Sequence, residues 1–134
     1  MNQIVLIGRL TADPVLEKTE SGVSKCKFSL AVQERMPNKN GERGVNFFDL
    51  VAWRTNAEFI TKHFNKGSLI GIIGELKSRI YEKNGENRKY TFIEVSNAEF
   101  VGYNKSQSGE NGNSDETDLS AEFDEILTQE ESPF

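Results

Sequence analysis

Phe47, Asp49, Val51 and Trp53 occupy every second position of one stretch, with Phe48, Leu50 and Ala52 between them. In an extended segment alternate residues point to opposite faces. The all-apolar set, Phe48, Leu50 and Ala52, reads as core. The other set, holding a Phe and the chain's single Trp, then faces outward, where large aromatic groups are unusual without a purpose. In a second stretch Tyr81 lies two residues past Arg79 and four past Lys77, so these three share a face. Flat rings beside cations suit stacking: unpaired bases lie on the rings, at about 1–3 kcal/mol per base, while cations track the phosphates. Arg35, Lys39, Arg43, Arg54, Lys83, Arg88 and Lys89 extend the cationic set. Each group also has a plain alternative: Trp53 as a plug in the interior, Tyr90 as core or ligand-facing, the loop cations as solubilising charge.

Catalysis finds no constellation. One histidine, His63, and one cysteine, Cys26, leave no nucleophile–base pair with an orienting acid, no metal cluster and no intrachain disulfide. No glycine loop ends in Gly-Lys-Ser/Thr, and the adjacent Glu130 and Glu131 fall in a segment too polar to hold them. The reading is a non-enzymatic protein with no cofactor and no metal. Cys26 reads as a small buried apolar group.

The elements that must position these residues follow from period and punctuation. A strand spans 4–10, a turn-rich stretch 11–22, and an alternating strand 23–35, with Cys26, Phe28, Leu30 and Val32 on one face and Lys25, Lys27 and Ser29 on the other. A loop with Pro37, Gly41 and Gly44 precedes a strand over 45–54. The period changes over 56–65, where Phe59, Ile60, His63 and Phe64 recur at helical spacing, Asn56 or Thr55 can cap the start and Gly67 can stop the helix. Strands over 69–82 and 89–101 flank a loop over 83–88, and Gly71 and Gly74 inside the former mark a bend or a close backbone approach. Phe28, Phe48, Phe59, Phe64 and Phe92 read as core. The order β-β-β-α-β-β predicts an all-β fold with one helix: a five-stranded OB-type Greek-key barrel.

Charge divides the chain. Residues 1–103 hold 15 Lys+Arg and 12 Asp+Glu; residues 104–134 hold one Lys and nine Asp+Glu. The body is therefore mildly basic and the arm strongly acidic. Residues 104–122 read as a disordered linker, since their composition cannot bury enough surface to offset ordering entropy. Residues 123–134 read as an acidic interaction tip with apolar points at Phe123, Ile126, Leu127 and Phe134. No apolar run suits a membrane span and no leader is evident, so a cytoplasmic location is expected.

Several pieces then carry a family likeness. Val5-Leu6-Ile7-Gly8-Arg9-Leu10 with Asp13-Pro14, Gly22-Val23, Phe28-Ser29-Leu30-Ala31-Val32, Trp53 with Ala57-Glu58, Lys66-Gly67-Ser68-Leu69 and Gly74-Glu75-Leu76 closely resemble the bacterial and phage single-stranded DNA-binding proteins, as does an acidic tail ending Pro133-Phe134. Base stacking on an OB barrel is that family's established mode, so here the resemblance itself implies it. The resemblance also implies homotetramers, or homodimers, that coat unwound DNA in replication, recombination and repair, at the nucleoid or replication fork, or in the host cytoplasm of a phage-encoded protein. Carried over by position, it puts stacking at Phe47, Trp53 and Tyr81, with Met36 where some members carry an aromatic, and basic contacts at Lys66, Lys77 and Arg79. It implies that Asp124, Glu125, Ile126, Glu130, Glu131, Pro133 and Phe134 recruit replication, recombination and repair proteins.

Two features depart from the pattern. Asp49 stands where many members carry a basic or neutral residue, and the tip separates Asp124-Glu125-Ile126-Leu127 from Glu130-Glu131-Ser132-Pro133-Phe134. The alternatives are an accessory primosomal or RNA-binding OB protein, and a protein-interaction adaptor that binds no nucleic acid.

Overall fold

The computed structural model describes residues 1–102. The linker assigned to 104–122 and the tip assigned to 123–134 lie outside the described residues. Seven elements follow in order: β1 (Ile4–Leu10), β2 (Val15–Lys18), β3 (Ser24–Gln33), β4 (Val45–Trp53), α1 (Arg54–His63), β5 (Leu69–Lys83) and β6 (Glu86–Phe100).

The strands lie in the order β1-β5-β6-β4-β3-β2, and a further β1–β3 pairing turns the five long strands into a closed ring. All pairings are antiparallel except β4–β6, which is parallel through Leu50↔Ile93 and Val51↔Glu94. This is the expected five-stranded barrel with one added piece. β2 pairs with β3 (Leu16↔Cys26, Glu17↔Lys25) inside the stretch read as turns. Its four residues are too few to show a period.

Closure bends the strands, and glycines sit where backbones meet. A Cβ on Gly8 would lie 2.6 Å from the Ala31 carbonyl oxygen, where β1 crosses β3. A Cβ on Gly74 would lie 2.4 Å from the Glu94 carbonyl oxygen. The β5–β6 register shifts between Ile73 and Gly74, so Gly74 is the corner at which β5 leaves one direction for another.

The interior takes the inward residues of every strand. Cys26, Phe28 and Leu30 of β3, Leu50 and Ala52 of β4, Ile70 and Ile72 of β5, and Ile93, Val95 and Ala98 of β6 form one cluster. The helix closes it with Ala57, Ile60 and Phe64, while Phe48 and Phe59 pack at its margin. The helix starts two residues earlier than a Thr55 cap predicts and three earlier than an Asn56 cap. Trp53 is the N-cap and offers no side-chain hydrogen bond, and Arg54 takes a left-handed φ of 56° to turn the chain out of β4. The stop is not Gly67 but an extended Phe64; Gly67, at φ 87°, shapes the connection that follows.

Between β5 and β6 the loop shrinks to two residues. Asn84 and Gly85 both have positive φ, the geometry of a tight hairpin turn, and Lys83↔Glu86 closes it. The long paired hairpin that results carries Tyr81 and Tyr90 onto the outer wall of the barrel.

Candidate nucleic-acid interface

Register determines which side chains meet on the outer wall. β3–β4 pairing sets Lys27 against Val51, Ser29 against Asp49 and Ala31 against Phe47. β5–β6 pairing sets Lys77 against Phe92, Arg79 against Tyr90 and Tyr81 against Arg88. Since Val51 also pairs with Glu94, these rows join across β4 and β6. The outward set of β4 and the Lys77–Arg79–Tyr81 set of β5 therefore belong to one continuous surface, with β6 between them.

A second apolar cluster builds on this surface, separate from the interior. Val51, Tyr81, Tyr90 and Phe92 are buried in it and Trp53 packs against it, half-buried. Tyr90 and Phe92 stack at 6.1 Å between centroids, and the Arg79 guanidinium lies 5.9 Å from the centre of the Phe92 ring. Phe47 stands at the margin of the wall, 61 % exposed.

This arrangement sorts the sequence-based candidates. Phe47 offers an open ring and Trp53 a partly open one. Tyr81 faces the expected way, but at 7 % exposure it is wedged among its neighbours and supports the platform instead of offering a free face. Met36 lies on the β3–β4 loop, 74 % exposed. Arg35, Lys39 and Arg43 are exposed on that same loop. The loop's base is the Gln33↔Val45 pair, two residues before Phe47. Lys83 and Arg88 are exposed on the β5–β6 hairpin, with Arg88 opposite Tyr81 and 3.8 Å from Glu86. Arg54 heads the helix. Lys66 lies apart from these strands, on the α1–β5 connection, where its amide donates to Asp13 Oδ1 at 2.7 Å.

Lys77 is not an open cation. Its ammonium lies 3.5 Å from Glu75 and 3.4 Å from Glu94, so a phosphate must displace carboxylates to reach it. The Glu75 carboxylate is half-exposed and its pairing contributes little, whereas Lys77 and Glu94 are both partly buried.

Phe92, read as core from sequence, belongs to the wall cluster instead. Tyr90, left open in the sequence between core and ligand-facing, and Lys27, on the face of β3 away from the core, are wall residues too. Their signal was present in the period: Tyr90, Phe92 and Glu94 alternate, and Lys25 and Lys27 oppose the inward face of β3. What was missing was the two-residue turn that sets Tyr90 against Arg79.

Asp49 lies in the middle of the wall, half-buried. The Tyr90 hydroxyl donates a hydrogen bond to Asp49 Oδ2. Burial pushes the Asp49 carboxyl above its ordinary value, and the hydrogen bond from Tyr90 opposes that shift.

The single-strand binding protein family matches residues 1–101, the whole barrel. The chain belongs to the single-strand binding protein family. Among curated relatives, "Single-stranded DNA-binding protein 2" of Streptococcus agalactiae serotype III (strain NEM316) is 38 % identical over 133 residues, covering 99 % of this chain and 98 % of the relative. "Single-stranded DNA-binding protein 3" of Listeria innocua serovar 6a is 39 % identical over 124 residues, covering 90 % and 78 %. "Single-stranded DNA-binding protein" of Halalkalibacterium halodurans is 38 % identical over 116 residues, covering 86 % and 69 %. The matched residues 1–101 include the whole of this chain's outer wall. Among the described residues no group of three or more His, Cys, Asp or Glu could hold a metal ion, and no helix is long and apolar enough to cross a membrane.

Proposed function

We propose that this protein binds single-stranded DNA on the outer wall of β4, β5 and β6, without catalysing a reaction on it. The carrying observation is the continuity of that wall: the rings of Phe47, Trp53, Tyr90 and Phe92 lie on one surface with Lys27, Lys77 and Arg79. Family membership supports the same reading. Bases stack on Phe47 and Trp53, with Met36 covering a further base, while Tyr81 holds the platform from beneath. Arg35, Lys39, Arg43, Arg54, Lys83 and Arg88 follow the phosphates as they pass the two loops, and Lys77 and Arg79 do so on the wall. Lys66 meets the strand only if it continues past the α1–β5 connection.

Coating and protecting unwound DNA in replication, recombination and repair is the role that fits such a surface, and places the protein in the compartment that holds the DNA. Self-association fits the outward residues of β1: Val5 and Ile7 are exposed, and clustered apolar exposure marks interaction sites. A homotetramer, or a homodimer, would cover them. Residues 1–103 form the DNA-binding body in this reading. Residues 104–122 link it to a tip over 123–134 whose Asp124, Glu125, Ile126, Glu130, Glu131, Pro133 and Phe134 meet basic, partly apolar pockets of partner proteins.

The test is a titration with oligo-dT of increasing length, beside the matched RNA. Salt-dependent binding of oligo-dT that favours DNA is expected. Preference for RNA would point to an RNA-binding accessory role, and no binding of either would leave a protein adaptor.

A further inference from the structure

A carboxylate at the centre of a surface for a polyanion has to be explained. Asp49 lies on the outward face between Phe47 and Val51, about 7 Å along the strand from each. Its Oδ2 accepts the Tyr90 hydroxyl. Among the described residues, Oδ1 has no hydrogen-bond or ion-pair partner. Holding Tyr90 needs only one acceptor oxygen, which an amide would supply without a charge. The negative charge and the second oxygen are thus surplus to the structural contact, and Asp49 shares its outward face with the exposed ring of Phe47.

Resting on the DNA-binding reading above, we propose that Asp49 is a base-selecting residue: Oδ1 accepts a hydrogen bond from the exocyclic amino group of a base stacked beside it, favouring cytosine, and adenine, over thymine. The chemistry of the base edges gives the direction. Cytosine N4 and adenine N6 are amino donors, and Asp and Glu accept from cytosine N4 in direct readout. Thymine offers only N3–H, flanked by two carbonyl oxygens that a carboxylate repels. Tyr90 acts as a positioning residue: by engaging Oδ2 it fixes the carboxylate plane and leaves Oδ1 outward. The same charge weakens contact with every phosphate that passes, so Asp49 lowers affinity generally while raising selectivity.

The experiment measures affinities of the full chain for oligo-dC and oligo-dT of equal length. The variants are D49N, which keeps an acceptor for Tyr90, and Y90F, which keeps the ring. D49N should bind oligo-dT more tightly than the unaltered protein, and the dC:dT affinity ratio should fall about tenfold, with Y90F falling in the same direction. A ratio unchanged in D49N, with both oligonucleotides still bound, overturns the selection by Asp49. A protein that binds neither oligonucleotide overturns the DNA-binding reading instead, so the two failures are distinct. A measurement on the unaltered protein covers the case of a variant that does not fold. Oligo-dC carrying N4,N4-dimethylcytosine lacks the amino donors and should bind the unaltered protein several-fold more weakly than oligo-dC. Equal binding contradicts the proposal.

Discussion

The Tyr90 hydroxyl donates a hydrogen bond to the Asp49 carboxylate across the outer wall, tying β6 to β4 beside the only parallel pairing among the described strands. This bond joins residues 41 positions apart, and it holds a carboxylate in a half-buried place where burial disfavours its charge.

A pH dependence follows from that burial. The Asp49 carboxyl is raised from its ordinary 3.8. An acid whose folded value is raised binds its proton more tightly when folded, so its contribution is fully present below pH 3.8 and is lost as pH rises through the raised folded value. Asp49→Asn removes this loss. Urea unfolding of both proteins at pH 3.5 and pH 7 should show the variant gaining relative to the unaltered protein as pH rises. A stability difference that does not change with pH would contradict the assignment.

Phe47 and Tyr81 should separate binding from stability. Phe47 is exposed and packs in neither apolar cluster, so Phe47→Ala should weaken oligo-dT binding by about 1–3 kcal/mol with little change in unfolding midpoint. Tyr81 is sealed in the wall cluster, so Tyr81→Ala should cost about 3 kcal/mol of stability. Denaturation curves and titrations read side by side would refute this if Phe47→Ala unfolded early or Tyr81→Ala left stability intact.

Gly74 is a matter of space. A methyl group there meets the Glu94 carbonyl oxygen at 2.4 Å and the Ile93 side chain at 3.0 Å, and the first of these is backbone that cannot swing aside. Gly74→Ala should therefore lower stability by about 1–3 kcal/mol. An unchanged denaturation midpoint would show that the corner of β5 relaxes freely.

Cys26 is fully buried, and burial pushes its thiol up to about 12. The thiolate is the reactive form. A thiol reagent at pH 8 should therefore label the native protein only as fast as the barrel opens, and label the urea-unfolded protein at once. Equal rates in the two states would place the sulfur at the surface.

How much of this is legible without coordinates varies with the type of signal. β3 announces itself by alternation, because one of its faces is apolar and the other is not, whereas β1, β4 and the start of β5 announce themselves as runs of apolar, aromatic and β-branched residues. Gly74 announces a close approach because nothing but backbone fits there. β2 gives no such signal, and neither does the helix start, where a left-handed Arg54 stands in for a capping side chain. The outer wall is the instructive case. Alternation gives the direction of Tyr81 and Tyr90 but not their neighbours. A two-residue turn at Asn84-Gly85 sets the register, and register alone decides that Tyr81, Tyr90 and Phe92 bury one another outside the barrel. Asn84-Gly85 is itself the local signature of such a turn, but the β4–β6 pairing that brings Val51 against these rings leaves no local pattern. The ion pairs that occupy Lys77 are equally hidden, since Glu94 reaches it from another strand.

The most direct test of the central claim uses Trp53, the only tryptophan of the chain, half-buried on the outer wall. Its fluorescence is titrated with oligo-dT at low salt and then challenged with rising salt. Base stacking on the wall predicts saturable quenching that salt reverses, with a slope of about −0.7 in log K per log salt for each phosphate neutralised. Emission that stays unchanged while oligo-dT binds would contradict stacking at Trp53, and would place the DNA elsewhere on the barrel.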